Sequence, residues 1–119
     1  MTNEMMYKTF KKVSGAVEGW MIRDSKVTPI SRLYSCSASL YKVENGYETY
    51  YVLKSYNTVI AVWDVNEGIL IDALRAVYGY TNTSAQHIAK FQKWIKAQFG
   101  ATPCVYRVGK IWNDIKRIK

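Results

Sequence analysis

The stretch from Thr83 to Phe99, TSAQHIAKFQKWIKAQF, constrains the possible folds more than any other segment. Ile88, Phe91, Ile95 and Phe99 recur at helical spacing, which predicts a single apolar stripe lying on a core. Thr83 and Gln86 are spaced as a capping box, in which the hydroxyl bonds the third helical amide and the Gln reaches back. Lys90, Lys93 and Lys96 fall on the opposite side, and Gly100 is placed to close the helix as its C′ residue. A helix with one oily side needs a second layer to rest on, and the rest of the chain has to supply it.

A chain of 119 residues is long enough for one domain with its own core, without metals or disulfides. Hydrophobic residues make up 49% and charged residues 22%, a globular balance that argues against disorder. No apolar run reaches bilayer length. The N-terminal MTNEMMYKTFKK lacks the basic-then-apolar order of a secretion signal, so a soluble cytoplasmic protein with no membrane partner is expected. Cys36 and Cys104 lack CxxC or histidine partners at metal spacing, and two buried thiols are expected in preference to a disulfide.

The supporting layer reads as β structure. Ser37–Val43 and Tyr47–Tyr56 flank Glu44-Asn45-Gly46, and Asn-Gly between apolar runs is a hairpin signal. Thr58–Asp64 and Ile69–Leu74 flank a second turn at Val65–Gly68. Cys104–Val108 suits one more strand. Upstream, residues 3–14 suit a short helix with Met6, Phe10 and Val13 on one face and Gly15 at its end. Residues 15–35 read as a connector, because Pro29 forbids a central strand or helix interior. The tail 109–119 spaces Ile111, Ile115 and Ile118 for a short C-terminal helix, with an edge strand as the alternative. The fold class is α+β: one small domain, residues 1–119. Its sheet of three to five mainly antiparallel strands is covered by one amphipathic helix, with short helices at both ends.

Charge is unevenly placed. Of the net +8, residues 86–119 hold eight cationic side chains against one acid, Asp114, whereas the preceding residues nearly balance. A one-sided positive field favours polyanions such as nucleic acid, acidic proteins or anionic lipid, although it also serves solubility alone. Lys90, Lys93, Lys96, Arg107, Lys110, Lys116, Arg117 and Lys119 are the candidate contacts, with Trp94 and His87 at the rim.

Catalysis finds little support in the residue pattern. His87 is the single histidine, near a helix N-terminus that disfavours its cation, and neither a triad nor a phosphate loop can be assembled. It reads as a surface or rim histidine beside Trp94. Asp64, Glu67 and Asp72 cluster as a metal-dependent nuclease would require, but they read better as solvated turn acids. Ten tyrosines add a further option: Tyr47 and Tyr51 on one strand face and Tyr50 and Tyr56 on the other could stack bases, or fill a small core.

Two stretches taken together, SYNTVIAVWD at Ser55–Asp64 and YTNTSAQHIAKFQKWI at Tyr80–Ile95, resemble a diffuse group of small phage and prophage proteins of unassigned activity. The shared pattern is S-Y-x-T-x-I-A on a strand, then T-S-x-x-H-I opening a helix. That group more often carries a tighter Thr-Thr-Ser-x-His run; here Asn82 parts Thr81 from Thr83, and Ala85-Gln86 part Ser84 from His87. The resemblance implies a mobile-element accessory protein that binds nucleic acid or a host nucleoprotein complex, for example as an anti-CRISPR inhibitor of an RNA-guided nuclease. The expectation is thus a binding protein rather than an enzyme, with no catalytic residue, metal or cofactor assigned. A protein–protein inhibitor using the tyrosine-rich sheet is the alternative, and a metal-dependent nuclease the weaker one.

Overall fold

A computed structural model describes residues 3–18, 26–32, 38–56, 58–74 and 82–107. In chain order these form α1 (Asn3–Glu18), β1 (Lys26–Arg32), β2 (Ala38–Asn45), β3 (Glu48–Ser55), β4 (Thr58–Asp64), β5 (Ile69–Asp72), α2 (Asn82–Phe99) and β6 (Cys104–Arg107). The strands make one sheet in the order β1-β2-β3-β4-β5-β6. The first five pair antiparallel as a meander, and β6 pairs parallel to β5. Parallel neighbours need a crossover, and α2 is that crossover. The fold is α+β as expected, with one strand more than the sequence suggested.

Local chemistry sets the turns. Asn45 pairs with Glu48, so the β2–β3 loop is Gly46 and Tyr47 rather than the expected Glu44–Gly46. Gly46 has φ 62°, the sign that the first central position of a type II′ turn requires. At the β4–β5 turn the Asp64 carboxylate accepts the amides of Asn66 (3.0 Å) and Glu67 (3.2 Å), an Asx-type brace that holds Val65–Gly68 in place.

Alternation along the strands distributes the core to both sides of the sheet. Tyr50 and Val52 of β3, with Val43, Val62 and Ile71, meet Met6, Tyr7, Phe10 and Val13 of α1. Leu53 of β3, with Leu40, Trp63 and Leu70, meets Ile88, Phe91 and Ile95 of α2. A bulge in β4 interrupts the pattern: Leu53 pairs Ala61 while Lys54 pairs Val59. The extra residue, Ile60, therefore joins Ala61 on the α2 side. Both faces are covered, so the single-helix layer expected from sequence is in fact a three-layer arrangement.

Three further expectations are corrected. Gly15 does not end α1; the helix runs on to Glu18, because Val13 and Ala16 gain burial against the sheet, and the Ser14 hydroxyl returns to the Phe10 carbonyl at 2.7 Å. Residues 26–32 are not a connector but an outer strand. Pro29 is tolerated there because β1 has one neighbour, and the pairing skips Ile30 as a bulge. Cys104 is exposed with a free thiol rather than buried, since β6 lies at the end of the strand order. Cys36 and the tail 109–119 lie outside the described residues. Among the described residues, no helix is long and apolar enough to cross a membrane.

Phe91 is fully buried at the centre of the α2 contact. Phe91→Ala is expected to cost about 3–5 kcal/mol, read from the midpoint and slope of urea unfolding.

Candidate functional site

The apolar stripe of α2 fixes which side looks outward. Ile88, Phe91 and Ile95 are buried; Lys93 and Lys96 are exposed and Lys90 is half-buried. The helix starts at Asn82, so Thr83 lies inside its first turn rather than ahead of it. Its far end is as expected: Gly100 has φ 72°, and its amide donates to the Lys96 carbonyl at 2.9 Å, a left-handed cap.

Three lysines elsewhere in the fold are held in ion pairs. Lys8 pairs with Glu4, Lys12 with Glu48 and Lys42 with Glu44. Helix α2 contains no acidic residue. Among the described residues, no ion pair engages Lys93 or Lys96. Arg107 does not extend this group. Its Nε lies 3.7 Å from the Asp72 carboxylate, which offsets its charge locally. Because α2 runs back between parallel strands, its last turn approaches Cys104 and its first turn the Asp72–Arg107 end. Lys110, Lys116, Arg117 and Lys119 lie outside the described residues.

An aromatic cluster adjoins the lysines. Trp94 packs at 5.3 Å from Tyr51 and 6.1 Å from Phe91. Phe99, expected in the core, is 39% exposed on the final turn of α2. Its ring still lies 5.4 Å from Tyr51, 6.0 Å from Trp63 and 6.2 Å from Trp94. The Trp63 indole nitrogen is buried with no hydrogen-bond partner among the described residues.

His87 is not a rim residue beside Trp94. It is buried, its Nδ1 is 2.9 Å from the Ser55 hydroxyl, and its ring neighbour is Tyr56 at 6.2 Å. The Ser55 hydroxyl is also 3.0 Å from that of Ser84. Burial, and then the positive charge of Lys90, hold the His87 pKa below its ordinary value. Ser84 and His87, three apart, share a helix face, and that spacing was the available sequence signal for this group. Ser55 is fully enclosed, so the three side chains act as a polar pin between β3 and α2. Tyr56 follows with φ 56°, an uncommon backbone conformation for a tyrosine.

The tyrosines and acids are largely committed to structure. Tyr50 is buried under α1 and donates to Glu48 at 2.8 Å, while Tyr51 is half-buried under α2. Tyr47 and Tyr56 remain exposed at loops. Asp64 is buried rather than solvated; burial raises its pKa, and the hydrogen bonds of Asn66 and Glu67 pull the other way. Asp72 accepts the Leu74 amide at 3.2 Å. Among the described residues, no group of three histidines, cysteines or acids is placed to hold a metal ion.

No protein-family model, curated protein or solved structure matches this chain.

A histidine whose folded pKa is depressed takes up its proton more readily when unfolded. Stability is therefore lost as pH falls through the ordinary histidine value of about 6.5 towards the lower folded value. The unfolding free energy of the wild type should drop in that window by up to ~1.4 kcal/mol per pH unit from this group. His87→Gln should remove that part of the slope. Urea titrations at a series of pH values provide the check.

Proposed function

We propose that this chain is a small, non-enzymatic binding protein that holds nucleic acid, bare or within a nucleoprotein machine, against the outer face of α2. The observation that carries this reading is the state of Lys93 and Lys96: exposed, on a helix without acids, and engaged by no ion pair among the described residues. Two unpaired ammonium groups one turn apart suit successive phosphates, and they stand on a helix whose inner face is anchored in the core. Lys90, half-buried beside them, extends the field toward Trp94. The likeness to small phage and prophage proteins points the same way, toward an accessory protein that occupies a nucleic-acid or nucleoprotein surface, such as that of an RNA-guided nuclease. The sheet is a poorer candidate for the interface, since α1 and α2 cover its two faces.

Binding of this kind releases counterions, so log affinity falls linearly with log salt. Lys93→Gln with Lys96→Gln should weaken binding of a labelled oligonucleotide. It should also flatten the salt slope by ~0.9 for each phosphate the protein no longer neutralises. Filter binding across a salt series measures both; a slope equal to that of the wild type would remove direct phosphate contact.

A further inference from the structure

Resting on the reading of α2 just given, we infer that the nucleic acid it holds is single-stranded, with a base stacked on Phe99 and the adjoining phosphates on Lys96 and Lys93. Phe99 ends the helix with 39% of its surface in solvent, although its place in the apolar stripe would bury it. The ring is not loose. Tyr51, Trp63 and Trp94 stand around it at 5.4, 6.0 and 6.2 Å, in tilted or edge-on contacts that hold one orientation. Lys96 is three residues earlier, and residues so spaced are neighbours on a helix surface.

Directly after the ring-bearing residue, Gly100 has φ 72° and turns the chain off the helix axis. Tyr47, Tyr56 and Tyr106 are also exposed, but none of them lies on the helix that carries the unpaired lysines.

Lysines alone would hold duplex and single strand alike. An aromatic platform discriminates, because a duplex keeps its base faces stacked internally whereas a single strand can offer them. Base–aromatic stacking tolerates any sequence, so the expected specificity is for strandedness and not for a base order.

Fluorescence anisotropy with labelled oligothymidylate and a hairpin duplex of equal charge tests this on the full chain. The wild type should prefer the single strand. Phe99→Leu, which keeps apolar bulk, should weaken single-strand binding by roughly 5- to 150-fold, leaving duplex binding and the salt slope unchanged. Phe99→Trp should restore the preference. Oligothymidylate should quench the tryptophan fluorescence of the wild type more than the duplex does, a readout independent of any variant folding. Equal affinity for the two probes, or an unaltered Phe99→Leu, overturns the stacking inference while a lysine-dependent salt slope preserves the α2 reading. Absence of binding by either probe at low salt overturns both.

Discussion

Strands β3 and β4 are buried on both sides, and the rest of the molecule is arranged to make that possible. Tyr50 and Val52 face α1, while Leu53 faces α2. A sheet with two apolar faces cannot stand in water until each has a helical cover, and the two helices have different amounts of chain to work with. Helix α1 arrives from the N-terminus and docks without topological cost. Helix α2 must both cover the sheet and return the chain for β6, so its length is set by the crossover it spans. Phe99, on its last turn, sits partly in water although it continues the same stripe as Ile95.

Electrostatics is distributed in a matching way. On the α1 side, Lys12 lies over the Tyr50 ring and pairs with Glu48, which in turn accepts from Tyr50. The Tyr50 hydrogen bond, and then Lys12, hold the Glu48 carboxyl below its usual range against the effect of burial. Charge there serves the docking of a helix to a strand. On the α2 side the docking polar group is neutral, the Ser55–His87–Ser84 pin, and Lys93 and Lys96 are left to solvent. Cations not needed for holding the fold are available for holding something else.

Much of the architecture was legible because it rests on local chemistry. Asn45-Gly46 marked the first hairpin, the apolar run of Thr58–Asp64 marked a strand, and the stripe of α2 with its Gly100 stop marked the main helix. The failures share a cause: each needed knowledge of what lies next to a residue in space. Pro29 excludes a central strand, but only the strand order reveals an outer place for it. Gly15 is a helix stopper by propensity, overridden by the burial of Ala16 one position on. His87 read as superficial because its partner Ser55 lies on a strand far away in sequence. Arg107 looked like part of a cationic surface until β6 set it beside Asp72. The unpaired state of Lys93 and Lys96 could be suspected from an acid-free helix, but the aromatic setting of Phe99 could not.

The join between an antiparallel meander and a parallel last strand has a bearing on how the chain assembles. Strands β1 to β5 meet their neighbours through short connections, so each pairing closes a small loop. Pairing Ile69 with Cys104 waits for the whole crossover to be laid down. Docking of the segment that carries the lysines therefore closes the longest connection between paired strands. Hydrogen exchange would read this as weaker protection in α2 than in β3. A ligand that gripped α2 would then stabilise the whole molecule, because it would bind the closed form better than the open one.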